Sequence, residues 1–175
     1  MTVAESQRLF FALWPAPAVA ELITERMAAC LPRCRRIPPA NLHITLAFIG
    51  DVEATKAVCV QQAADRISSR EFTLNLSQTG FWRRPGVVWI APETTPAALI
   101  QLHGDLSRAL KDCGCQPETR PYHPHLTLCR KARHGPTTGM IEPITMLINE
   151  FVLVQSRLSA AGAEYKILRR WPPAR

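Results

Sequence analysis

The sequence predicts an α+β fold of two pseudo-symmetric lobes, with mostly antiparallel sheets, helices on the outer faces and a central groove. Three observations carry that prediction. The tetrapeptide His43-Ile44-Thr45-Leu46 returns in the second half of the chain as His125-Leu126-Thr127-Leu128. Each copy ends the same string of segments: an apolar run, a proline, a stretch of helical period and a proline-marked loop. Read as extended chain, each copy also alternates, with His43 and Thr45 on one face and Ile44 and Leu46 on the other. His125 and Thr127 separate from Leu126 and Leu128 in the same way. The apolar faces are suited to burial and the polar faces to lining the groove. Residues 1–175 are expected to form one such bilobal domain.

The elements follow in order. Residues 8–13 read as a buried strand, stopped by Trp14-Pro15. From residue 16 to about 30, Val19, Leu22, Ile23, Met27 and Cys30 recur at helical spacing. Pro32 and the basic turn Arg33-Cys34-Arg35-Arg36 end that helix, and Pro38-Pro39 keep the next segment extended. The first His-x-Thr strand follows and closes at Gly50. Asp51 is the expected cap of a second helix, whose buried stripe is Ala57, Val60, Ala64 and Ile67. Phe72, Leu74 and Leu76 alternate with Thr73, Asn75 and Ser77, the pattern of a half-buried strand. Residues 80–86 read as a turn-rich crossing and 87–90 as a buried strand. Thr95 as cap and Pro96 in the first turn open a third helix. Its apolar face carries Leu99, Leu102, Leu106, Ala109, Leu110 and Cys113, and Gly114 stops it. After Pro121 and Pro124 comes the second His-x-Thr strand. Residues 131–143 read as loop, and 151–154 and 165–168 as closing strands.

Composition narrows the function classes. The formal charge is +7, from 17 arginines and 4 lysines against 14 acidic residues. Planar guanidiniums suit phosphate and nucleic-acid ligands, although a genome-wide preference for arginine gives the same count. No apolar run reaches the roughly 18–20 residues that span a bilayer. The apolar run 9–14 ahead of Ala16-Pro17-Ala18 imitates a secretory signal. Glu5 in its lead-in and Pro15 at its end break the pattern, and a cytoplasmic location is expected. The six cysteines are dispersed in apolar surroundings and are expected to be reduced. Cys113-x-Cys115 near His123-x-His125 raises a zinc site, but the cysteine spacing is tighter than structural zinc pairs use. No cofactor and no metal are expected.

Two imidazoles facing across a groove suit acid–base cleavage of a phosphodiester, one ring neutral and the other protonated near neutral pH. The threonine hydroxyls and the Arg130 fork can bond phosphoryl oxygens.

The paired motifs in a two-lobed chain resemble the two-histidine (2H) phosphoesterase superfamily. The fuller strings Asn41-Leu42-His43-Ile44-Thr45-Leu46-Ala47-Phe48-Ile49-Gly50 and Arg120-Pro121-Tyr122-His123-Pro124-His125-Leu126-Thr127-Leu128-Cys129-Arg130 are similar to its bacterial RNA 2′,3′-cyclic phosphodiesterase branch, historically called 2′-5′ RNA ligase. The Arg8-Leu9-Phe10-Phe11-Ala12 opening and Arg170-Trp171 fit as well; Cys129, where an aliphatic or small residue is usual, departs from it. The resemblance implies hydrolysis of a ribose 2′,3′-cyclic phosphate to a 2′-phosphate end, without a metal. His43 would protonate the departing 3′ oxygen and His125 would activate water. Thr45, Thr127 and Arg130 would hold the phosphate, and Phe48 would stack a nucleobase, core packing being its other reading. The partner implied is an RNA or nucleotide with a 2′,3′-cyclic phosphate end, met by a monomer away from any membrane. Two alternatives stand beside this: a 2′-5′ RNA ligase working in reverse, and a non-catalytic RNA-binding module. The lack of a Gly-rich triphosphate loop argues against ATP-driven ligation.

Overall fold

Apolar residues alternating along extended chain set the strands, and the sheet they form is continuous. The computed structural model describes residues 6–116, 118–159 and 162–173. In chain order the elements are β1 (Gln7–Leu13), α1 (Pro17–Met27), β2 (Arg35–Arg36), a 3₁₀ turn (Pro39–Asn41), β3 (Ile44–Val52) and α2 (Ala54–Ala64). Then come β4 (Phe72–Trp82), β5 (Val87–Pro92), α3 (Ala97–Asp112), β6 (Leu126–Arg130), β7 (Met140–Ile148), β8 (Phe151–Ser159) and β9 (Gly162–Trp171). Among the described residues the strands form one antiparallel sheet in the order β7-β4-β5-β6-β3-β1-β8-β9, with β2 beside β6. The order is palindromic about β6 and β3. Outward from that pair β5 matches β1, β4 matches β8 and β7 matches β9. The expected lobes are therefore the two halves of one sheet.

The helices cover one face. Leu9, Phe11 and Leu13 of β1, with Ile44, Leu46, Leu126 and Leu128, join Ile23 and Met27 of α1, Val60 of α2 and Leu99, Leu102 and Leu106 of α3 in the main core. Each such side chain removed from water stabilises the fold by roughly 1.5–3 kcal/mol. On the opposite face each half carries a smaller apolar cluster. Phe10, Ala12, Val152 and Val154 form one and Val87, Trp89 and Ala91 the other. β1 and β5 are thus buried on both sides, which explains their unbroken apolar runs.

Several expectations need correction. Asp51 lies within β3, and Glu53 takes the N-cap of α2, so the strand outlasts Gly50. Pro96, not Thr95, is the N-cap of α3. Leu22 points to solvent, and α1 buries Ala20, Ile23 and Met27. Residues 131–143 are not all loop, because β7 begins at Met140 and pairs with β4. As an edge strand it tolerates Pro143. β4 runs through the supposed crossing to Trp82, with Gly80 opposite Trp89. The basic turn contains β2, and Pro39 opens a 3₁₀ turn. Four cysteines are paired, as Cys34–Cys129 and Cys59–Cys113, while Cys30 and Cys115 are free and buried. The partners stand 95 and 54 residues apart in the chain, a proximity only the tertiary fold creates. No helix among the described residues is long and apolar enough to cross a membrane.

Candidate active site

The two motifs meet at the centre of the sheet. Ile44 of β3 pairs with Leu126 of β6 in antiparallel register, and both are fully buried beneath the sheet. Their sequence neighbours must then point to the other face. In this register His43 stands across from Thr127, and Thr45 across from His125. Two clefts flank the crossing accordingly. One, of about 380 Å³, holds His43, Thr127, Arg130, Asn41, Arg35 and Tyr165. The other, of about 540 Å³, holds Thr45, His125, Phe48, Trp82, His103 and Tyr122. The structure brings every residue expected at the site to this crossing or its rims.

Each histidine is held in the same way. His43 Nδ1 lies 2.7 Å from the Asn41 carbonyl, and His125 Nδ1 lies 2.8 Å from the His123 carbonyl. A carbonyl only accepts, so in both rings Nδ1 carries the hydrogen and donates it. The neutral ring then presents a bare Nε2, the atom that can take up or deliver a proton. Asn41 is in turn anchored by its side-chain amide, which donates to the Ala163 carbonyl at 3.3 Å.

The surroundings differ. His43 stacks on Trp14 with ring centroids 5.2 Å apart, and Phe10 and the edge of Tyr165 close around it. Burial in that aromatic box lowers its pKa to about 4, the Asn41 carbonyl opposes the shift, and the positive charges of Arg130 and His125 add to it. His125 meets the edge of Trp82 at 4.4 Å. Its pKa is also lowered, by burial first, with the His123 carbonyl opposing and His123 and Arg130 adding to the shift. The charge of Arg130 thus reaches both histidines, and that of His125 reaches His43.

A model of the 2′-5′ RNA ligase superfamily matches residues 14–159. The RNA 2′,3′-cyclic phosphodiesterase of Escherichia coli (strain K12) is 37% identical, covering 97% of this chain and 98% of its own. The chain belongs to the 2′-5′ RNA ligase superfamily. Solved structures agree. Escherichia coli LigT complexed with 3′-AMP superposes with a TM-score of 0.89 at 35% identity, covering 98% of this chain and 100% of that one. The same protein complexed with phosphate gives a TM-score of 0.84 at 33% identity, over 98% and 99% of the two chains.

In this superfamily member some supporting residues were not legible as such in the sequence. Leu46 is the extra residue of a bulge against β1, where Phe11 pairs with Ala47 and Ala12 with Thr45. Two side chains satisfy the backbone there. The Tyr122 hydroxyl donates to the Thr45 carbonyl at 3.2 Å, and His103 Nδ1 donates to the Leu46 carbonyl at 2.9 Å. The two rings stack with centroids 3.9 Å apart and planes 7° off parallel. Tyr122 lies inside the second motif string, yet its partners stand on α3 and β3. Phe48 is 55% exposed with the Arg8 guanidinium 4.9 Å above its ring, so core packing is not its role. Arg130 is exposed at the end of β6, and no carboxylate among the described residues pairs with it. The zinc reading fails at Cys113, whose sulfur is bonded to Cys59. Among the described residues no group of three or more His, Cys, Asp or Glu is arranged to hold a metal.

Proposed function

We propose that the chain is an RNA 2′,3′-cyclic phosphodiesterase that opens a terminal cyclic phosphate to a 2′-phosphate and a free 3′-hydroxyl, working as one bilobal monomeric unit. The observation that carries this reading is the mirrored pair of Nδ1–carbonyl bonds, which gives both rings a bare Nε2 at the same crossing. His125 Nε2 takes a proton from the attacking water as its oxygen bonds phosphorus. The bond from phosphorus to O3′ breaks, and protonated His43 delivers its proton to O3′. Thr45 and Thr127 donate hydroxyl bonds to the phosphoryl oxygens, and Arg130 offsets the charge that gathers on them. Phe48 offers an exposed ring on which any base can stack. Acid, base and phosphate donors are all side chains, so the scheme needs no metal.

Product analysis on a cyclic-phosphate-ended oligonucleotide tests the reading. A 2′-phosphate should form at undiminished rate in EDTA. A 3′-phosphate product, or activity lost to chelation and restored by zinc or magnesium, overturns it. His43→Ala and His125→Ala should each lose roughly 10²–10⁴-fold in kcat, and the double variant far less than the product of the two. A nitrophenyl phosphodiester, whose leaving group needs no proton, separates the roles. His43→Ala should regain much of its rate on it while His125→Ala stays slow; the opposite result exchanges acid and base.

A further inference from the structure

The two disulfides lie in surroundings of different charge. Cys34, whose sulfur is bonded to Cys129, lines a cleft of about 660 Å³ with Arg33, Arg35, Lys131, Arg133 and His134. No acidic side chain belongs to that lining. The two sulfurs differ in access: Cys34 is half-buried at the cleft, whereas Cys129 of β6 is fully buried. The second bridge offers an internal comparison. Cys59 and Cys113 line a cleft of about 560 Å³ between α2 and α3, where Arg66 and Arg108 are balanced by Asp105 and Asp112.

The cations around Cys34 are held on ordered backbone. Arg35 of β2 pairs with Arg130 of β6. Lys131 has φ 59°, a left-handed backbone that a residue with a Cβ adopts at a cost. The next residue fixes that turn, since the Ala132 N–H donates to the Gly86 carbonyl at 3.0 Å. Gly86 is required there: at φ 79°, a Cβ on it would stand 2.8 Å from the Ala132 carbonyl oxygen. Arg35 and Lys131 also line the cleft that holds His43, Thr127 and Arg130, so an anion fixed beside Cys34 shares cations with that cleft.

We propose that the cationic cleft is a site of thiol–disulfide exchange, at which a small thiol carrying carboxylates attacks Cys34 Sγ and stays attached there. The thiol gives up its proton and its sulfur bonds Cys34 Sγ as the bond to Cys129 Sγ breaks. Cys129 leaves as thiolate and takes up a proton. The incoming sulfur is thus oxidised to a mixed disulfide and Cys129 is reduced. Attack falls on the accessible sulfur, and the thiolate is the species that exchanges. Cations concentrate an anionic thiol and favour its thiolate form. The attached carboxylates then offset the positive field of Arg35 and Lys131, and the adduct weakens substrate binding in the neighbouring cleft. Only this last consequence rests on the cyclic phosphodiesterase reading.

The test uses reduced glutathione, an anionic thiol, and cysteamine, a cationic one, at matched thiolate concentration on the native chain. After quenching in denaturant with N-ethylmaleimide, peptide mass spectrometry reads the state of each cysteine. Glutathione should attach at Cys34, leaving Cys129 alkylated, roughly tenfold faster than cysteamine does, and salt should erase most of that ratio. At Cys59–Cys113 the two thiols should react at similar rates. In Arg33→Ser/Arg133→Ser the ratio at Cys34 should fall by roughly threefold or more while that at Cys59–Cys113 holds. Attachment at Cys129, a Cys34–Cys129 bridge that neither thiol opens, a ratio indifferent to salt, or the same preference at both bridges overturns the site. The consequence is read as KM for a nucleoside 2′,3′-cyclic phosphate, which should be severalfold higher in the glutathione adduct than in the chain reduced with dithiothreitol. Equal KM in the two overturns the consequence. If no form turns over a cyclic phosphate, the cyclic phosphodiesterase reading has failed instead, and mass spectrometry still decides the site.

Discussion

At the scale of the residue, the difficulty lies in His43. The acid role proposed for it requires its imidazolium, yet burial first, and then the charge of Arg130 and of His125 when protonated, bring its pKa to about 4 in the free protein. A phosphate anion between the rings supplies the missing charge and favours the protonated form. Titration of the His43 Hε1 proton by NMR should therefore give a value near 4 in the free protein and one raised by a unit or more with inorganic phosphate bound. A bound-state value that stays near 4 would move the base role to His43. Stability follows from the same shift. The unfolded chain binds a proton at the ordinary value of 6.5 and the folded chain at about 4, so between those two values the unfolded state holds more protons. Stability should then fall as pH drops from about 6.5 to 4, by up to ~3 kcal/mol from this group. Denaturant melts at stepped pH check the sign, and His43→Gln should flatten the curve in that window.

At the scale of the element, β3 carries Thr45 of the first His-x-Thr motif and, next to it, a backbone fault. Its bulge at Leu46 leaves two carbonyls that Tyr122 and His103 satisfy. Tyr122→Phe keeps the ring and its stack but strips the Thr45 carbonyl of its donor. It should cost roughly 1–3 kcal/mol of stability, and it should lower kcat more than it raises KM, because Thr45 is held less firmly. A loss confined to KM would mean that the hydroxyl merely shapes the cleft. What was legible in the sequence divides along this line. β1, β3, β5, β6 and the three helices declare themselves through periods that lie within a few residues of each other. β2 is two arginines, and its pairing with Arg130 and Cys129 leaves no local mark. β7 alternates only from Pro143 onward, with Ile144, Met146 and Ile148 buried; Glu142 and Pro143 are both exposed, so its start reads as loop. The His-x-Thr pairs stood out because they repeat; Tyr122 and His103 did not, because a hydroxyl and a ring gain meaning only from a strand folded against them.

At the scale of the whole molecule, the halves meet across a narrow seam. β3 and β6 pair only through Ile44 and Leu126 among the described residues, and β2 extends the contact along β6. Both disulfides tie the first half of the chain to the second: Cys34 on the β2 side to Cys129 of β6, and Cys59 of α2 to Cys113 at the end of α3. Closing loops of this length restricts the unfolded chain and stabilises by about 2–4 kcal/mol per bridge. Each bridge lost should lower the melting temperature by roughly 5–15 °C in a chain of this size. The two have different surroundings, which allows a discriminating experiment. The α2–α3 bridge lies on the helical side, away from the histidine face, whereas the β2–β6 bridge adjoins Arg130. Cys59→Ser/Cys113→Ser should therefore melt earlier while keeping its KM for a cyclic-phosphate-ended oligonucleotide. Cys34→Ala should melt earlier and also raise that KM, because the covalent tie between the β2 segment and β6 is then gone. Melting curves with and without reductant give the first quantity and steady-state kinetics under the same two conditions give the second. Should reductant leave the melting temperature of the native chain unchanged, the bridges contribute nothing to the seam; should Cys59→Ser/Cys113→Ser raise KM as much as Cys34→Ala does, the seam acts as one cooperative unit and the local argument for β2 fails.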